Sequence, residues 1–189
     1  MLRNDIHELI WFFDLEWVPD AEGAKKLYGL SADTDELSAM EAIWRETAGY
    51  SPETPRPFIK PLVSRVVSIA FLSRSVAYIE NERRVEFRLH SLPKLPLSGD
   101  AHDRSEAIIV EQFLRYIGHR RPQLVGYNSA ESDVQVLIQR ALVNEIAAKE
   151  FCVRPENRWD KTNDYFARWD NEFHLDLLKL FSYQTKPRL

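Results

Sequence analysis

The sequence predicts an α/β protein, a mixed sheet with flanking helices, and three observations carry that prediction. Residues 9–18 are too short for a typical helix, are crowded with aromatics, and alternate as a strand does. Residues 63–72 are nearly continuous in apolar and β-branched side chains, as in a central strand, and 75–80 with 84–90 follow as an antiparallel meander. Two amphipathic segments then enclose a short apolar one at 124–127.

In the first strand Leu9, Trp11, Phe13, Leu15 and Trp17 form one apolar face. On the other, Ile10 and Phe12 lead into Asp14 and Glu16, so the strand is expected to be covered on both sides except at its C-terminal end. Pro19-Asp20 stops it. Residues 20–57 read as a connecting region with one helix over about 34–47, carrying Leu37, Met40 and Trp44 at helical spacing, and Gly49 with Pro52, Pro55 and Pro57 closes it. In 84–90, Val85, Phe87 and Leu89 alternate with Glu86, Arg88 and His90, the pattern of a strand with one wet face, and 81–83 supplies the turn.

Asp103 with Glu106 resembles a capping box for a helix over about 104–118, whose stripe is Ile109, Val110, Phe113, Leu114 and Ile117, ended by Gly118 and Pro122. A second helix is expected over about 132–148, with Val134, Leu137, Ile138, Ala141, Leu142 and Ile146 on one face. Periodicity fades over 151–173, where Trp159, Tyr165, Phe166 and Trp169 are mixed with Arg154, Arg158, Lys161 and Arg168. Residues 174–181 suit either a last strand or a helix.

The chain has 189 residues, 44% of them hydrophobic and 29% charged, which suits one domain with a real core and argues against disorder. No apolar run approaches the roughly 20 residues of a membrane span, and no basic segment with an apolar core and cleavage site opens the chain, so a cytoplasmic protein is expected. The lone Cys152 excludes an internal disulfide and reads as a small buried hydrophobe. A net charge of −4 gives the molecule as a whole no attraction for polyanions, which must then bind locally. Arg115, His119, Arg120 and Arg121 read as a solvated helix end that complements the dipole.

Two carboxylates on one face, Asp14 and Glu16, repel each other and lose hydration beside aromatics unless a cation joins them. Hard oxygen ligands at this spacing suit Mg²⁺. The second acidic feature is the stretch from Leu124-Val-Gly-Tyr-Asn128 to Asp133. A strand end delivers Tyr127 and Asn128, a tight loop follows, and Asp133 falls in a first helical turn, where an acid also serves as an ordinary stabiliser.

Taken in order, Phe13-Asp14-Leu15-Glu16 with Pro19-Asp20, Val66-Val67-Ser68-Ile69-Ala70, Leu124 to Asn128 through Asp133 to Arg140-Ala-Leu142, and Tyr165-x-x-Arg168 leading to His174-Leu-Asp-Leu-Leu178 resemble the predicted 3′-5′ exonucleases related to the exonuclease domain of family B DNA polymerases. These belong to the DEDD superfamily, of ribonuclease H-like fold. The resemblance implies that Asp14, Glu16 and Asp133 are catalytic and hold two Mg²⁺ or Mn²⁺ ions, with Asp14 bridging them. It implies further that Asn128, Tyr127 and Trp17 contact substrate, the 3′ end of single-stranded DNA or RNA. Trp17 stands where such proteins more often carry Thr or a small residue, and Glu131-Ser132 replaces the usual Phe before the second-motif aspartate.

The family's third motif, a Tyr or His four residues before an Asp, is absent: Tyr165 reaches Trp169, His174 reaches Leu178 and Tyr183 reaches Pro187. Residues 1–189 are thus expected to form one C-terminally truncated domain, ending before the helix that carries the fourth ligand. A non-catalytic nucleic-acid- or protein-binding module on the same scaffold, and an endonuclease, are the competing expectations.

Overall fold

The computed structural model describes residues 6–97, 99–153, 165 and 173–185. Its sheet has five strands in the order β3-β2-β1-β4-β5. Strands β1 (Leu9–Pro19), β2 (Ser64–Ile79) and β3 (Glu82–Leu92) form the antiparallel meander, and β4 (Gln123–Gly126) and β5 (His174–Asp176) add parallel to β1. This mixed sheet with flanking helices is the expected ribonuclease H-like arrangement. Where two strands were read, β2 runs unbroken for 16 residues, and the hairpin turns through Glu80 and Asn81, both with positive φ.

Helices α3 (Glu106–Arg120) and α4 (Asp133–Val143) lie against one face of the sheet, where Ile109, Val110, Phe113, Leu114, Ile117, Val134 and Leu137 bury Trp11, Phe13, Leu15, Ile69 and Phe71. Two expectations about faces are corrected here. Phe12 is 39% exposed, so the strand face carrying Asp14 is not covered along its length, and the wet face of β3 is the apolar one, with Leu89 79% exposed. His90 instead stacks on Phe71 under the helix layer. Alternation fixes which residues share a face, but the helices decide which face is inside, and they follow the β1 aromatics.

The connecting region holds two helices. Asp20 caps α1 (Ala21–Tyr28), its carboxylate accepting from Gly23 N at 3.0 Å, and Gly29 ends it in the left-handed region. With α2 (Glu36–Glu46) it makes a satellite core of Ala21, Ala24, Ala39, Ile43 and Ile59. Ser105, rather than Asp103, caps α3, and Arg121 rather than Gly118 closes it. Gly118 is buried in the helix because α3 packs against the 150–151 backbone there; an added Cβ would meet Glu150 Cβ at 2.7 Å. Helix α4 stops at Val143, short of the expected 148, and Leu142 points outward while Arg140 takes the buried position. After β5 the chain becomes α5 (Leu177–Thr185), so 174–181 is strand and then helix. Cys152 is exposed rather than buried. Of the aromatic and basic stretch, only Tyr165 is described: it is buried, stacks on Phe151 and donates its hydroxyl to Pro122 O at 2.8 Å. Arg154, Arg158, Trp159, Lys161, Phe166, Arg168 and Trp169 lie outside the described residues. No helix among the described residues is long and apolar enough to cross a membrane.

Candidate active site

The acidic residues gather at the C-terminal edge of the parallel strands, where open α/β sheets place their ligands. Asp14 and Glu16 sit on the exposed side of β1, opposite Ala70 and Ser68 of β2. The register then slips between Glu16 and Trp17, leaving Val67 of β2 without a partner on β1. Such a bulge beside a site re-aims the side chains that follow it. Trp17 turns into the seam between the main and satellite cores and meets the Phe58 ring edge-on at 6.4 Å. Packing accounts for every contact Trp17 makes among the described residues.

Asp133 arrives from the other side, at the first residue of α4. Its carboxylate accepts from Leu15 N, the backbone amide between Asp14 and Glu16, at 3.3 Å, and from Ser132 Oγ at 2.6 Å. The chain reaches this position through a tight return after β4. An added Cβ at Gly126 would lie 2.6 Å from the Ser129 side chain and 3.2 Å from the Phe13 ring, so only glycine fits there. Asn128 adopts a positive φ of 56° and its carbonyl accepts from the amides of Glu131 and Ser132. The Tyr127 side chain, 65% exposed, stands at the mouth of this loop.

Burial, followed by repulsion from Asp14, raises the pKa of Asp133 against the opposing pull of its hydrogen bonds. Asp133 and Asp14 are thus brought within electrostatic reach of each other, and Glu16 shares the face of Asp14. No group of three His, Cys, Asp or Glu side chains close enough to hold a metal ion forms among the described residues. The donors are hard carboxylate oxygens, and a desolvated carboxylate facing another is the arrangement a divalent cation relieves, so these residues fit Mg²⁺ or Mn²⁺ in chemistry.

Two residues of β5 hold the loop. Asp176, buried, accepts from Asn128 N at 3.0 Å, Ala130 N at 3.1 Å and Leu178 N at 3.0 Å, joining the loop to the start of α5. His174 Nε2 lies 2.8 Å from Ser129 Oγ. Desolvation drives the His174 pKa down to about 4, so the ring is neutral at physiological pH. A histidine whose folded pKa is depressed leaves stability intact at neutral pH. That stability is lost as pH falls below the unfolded value of about 6.5 toward 4. Urea unfolding of wild type and His174→Gln at pH 7 and pH 4 is expected to show wild type losing about 3 kcal/mol more than the variant over that window. Equal losses would mean that His174 titrates normally.

The family model for predicted 3′-5′ exonucleases related to the exonuclease domain of PolB matches residues 56–189. The chain belongs to that family. Within this PolB-related exonuclease family match lie Tyr127, Asn128 and Asp133, whereas Asp14, Glu16 and Trp17 precede it. No curated protein matches the chain. Among solved structures, a family B DNA polymerase from the hyperthermophilic archaeon Pyrobaculum calidifontis is 17% identical and covers 75% of this chain, with a TM-score of 0.34. The chain spans 12% of that polymerase, and a likeness so distant adds nothing to the family assignment.

Sequence reasoning missed a buried ion cluster behind the site. The Arg140 guanidinium meets Glu106 through Nε at 2.8 Å and Nη2 at 2.6 Å, and Asp20 through Nη2 at 2.9 Å. Glu106 also accepts from Val66 N at 2.7 Å and Asn144 Nδ2 at 3.0 Å. The available signal was an arginine on the apolar stripe of α4, seven residues from Asp133.

Proposed function

We propose that residues 1–189 form a single domain that acts in the cytoplasm as a metal-dependent 3′-5′ exonuclease on single-stranded DNA or RNA. The observation that carries this reading is the Asp133 carboxylate seated on the amide between Asp14 and Glu16, in a chain of a predicted exonuclease family. Asp14, Glu16 and Asp133 would hold two Mg²⁺ or Mn²⁺ ions, which supply positive charge for the phosphate oxygens and ease ionisation of the attacking water. The protein's own part is preorganisation. Leu15 N and Ser132 Oγ fix one carboxylate, and Asp176 and His174 fix the loop that carries it. Tyr127 and Phe12, exposed beside the acids, offer rings for unpaired bases, and Asn128 is placed to meet the strand end. Local binding through ions and stacking is compatible with a net charge of −4.

A second reading is a non-catalytic nucleic-acid-binding module. It is favoured by the absence of the Tyr/His-x-x-x-Asp motif from the sequence and of a three-ligand cluster among the described residues. A 5′-labelled single-stranded oligonucleotide with Mg²⁺ or Mn²⁺ separates them. The exonuclease shortens it stepwise from the 3′ end, and Asp14→Ala stops the ladder. Internal cuts would mean an endonuclease, and binding without cleavage the module.

A further inference from the structure

The β2–β3 hairpin runs beyond the last turn of α3, and a groove of about 940 Å³ opens there on the helix-covered side of the sheet. It lies on the opposite face from Asp14, because Trp11, Phe71, Ser73 and His90 alternate with the residues that share the Asp14 side. Its floor is a cross-strand column of rings. Trp11 stacks on Phe71 with centroids 4.5 Å apart, and Phe71 on His90 at 4.5 Å with an 11° interplanar angle. His90 ends the column on the edge strand, half-buried, with its Nε2 held 3.0 Å from Ser73 Oγ. Burial, then Arg88, lowers its pKa, so the ring stays neutral.

The rim reverses the charge of the molecule. Arg88, Lys94 and Arg120 face one carboxylate, Glu86, in a chain of net charge −4. Glu86 is occupied by Arg88 at 2.7 Å, whereas Lys94 and Arg120 have no carboxylate partner among the described residues. A terminal aromatic ring beside two uncommitted cations is complementary to a flat base carrying a phosphate.

We propose that this groove binds a nucleotide unit, its base on the His90 ring and its phosphate on Lys94 and Arg120, either as free nucleotide or within a single strand. The site is separate from the carboxylates and needs no metal. The test is fluorescence-anisotropy titration of the chain with a labelled single-stranded oligonucleotide in EDTA, with AMP as competitor. Wild type binds. Lys94→Glu/Arg120→Glu is expected to weaken binding at least about 10-fold and to flatten the log K against log[salt] slope by about 1.4, at about 0.7 per lost phosphate contact. His90→Ala weakens binding with the slope unchanged, and Asp14→Ala binds as wild type. Competition by AMP identifies a mononucleotide ligand, and resistance to it a strand. Wild-type affinity and slope in the double variant, or no binding in EDTA, would overturn the proposal. Because no divalent ion is present, the outcome is independent of whether the carboxylates cleave.

Discussion

Asp133→Asn is expected to lower nuclease activity at least about 10³-fold while making the metal-free protein more stable at neutral pH. Both effects come from one feature. Burial first, and then Asp14, hold the Asp133 pKa above the ordinary carboxylate range. An acid whose folded pKa is raised contributes stability below its unfolded pKa, and that contribution is lost as pH rises through the folded value. At pH 7 the ionised group is therefore a cost to the apo fold. Asparagine keeps the shape, and its Oδ1 still accepts from Leu15 N, but the charge is gone. Melting in EDTA at pH 7 is expected to rise by a few degrees, 1 kcal/mol being worth about 2–4 °C in a chain of this size. Mn²⁺ reverses the order. It stabilises wild type by mass action, about 2.7 kcal/mol at a hundred times Kd, and the variant by much less. The activity loss follows from removing an ion ligand whose contribution to charge stabilisation is several kcal/mol, with 1.36 kcal/mol per factor of ten. If the variant melted at or below wild type in EDTA and gained as much from Mn²⁺, Asp133 would be an ordinary helix-start acid.

What was legible in the sequence was whatever depends on neighbours along the chain. The alternation of β1 placed Asp14 and Glu16 on one face, and the strand-loop-helix spacing brought Asp133 to the start of α4. The identity of the inner face of β3 was not, because Val85, Phe87 and Leu89 are packed or exposed according to which side α3 takes, a tertiary choice. Helix α1 was legible and passed over. Asp20 was read as the end of a strand, although an Asp before Ala-Glu-Gly-Ala-Lys-Lys-Leu-Tyr and a Gly after it is a capped helix. The undecided 174–181 segment resolves at Asp176, whose carboxylate serves both the 128–130 loop and the first turn of α5, a contact 48 residues away in sequence. Such long-range hydrogen bonds leave no periodic trace.

Arg140→Ala is expected to destabilise the protein by about 3–5 kcal/mol, because it leaves two carboxylates in a dry site without their cation. The three side chains are 4%, 8% and 12% exposed for Arg140, Glu106 and Asp20. They come from α4, the first residue of α3 and the cap of α1 directly after β1, so the cluster ties together the elements on which Asp133 and Asp14 stand. Glu106 would keep its Val66 and Asn144 donors, which soften the loss but do not neutralise it. At about 2–4 °C per kcal/mol the melting temperature falls by roughly 6–20 °C. Arg140→Lys restores the charge without the planar fork that meets Glu106 twice, and is expected to recover part of the stability. The exposed Arg45–Glu41 pair is the control: Arg45→Ala should change stability by less than about 1 kcal/mol, since side chains 63% and 45% exposed are screened by water. Equal costs for Arg140→Ala and Arg45→Ala would show that burial does not set the strength of the Arg140 cluster.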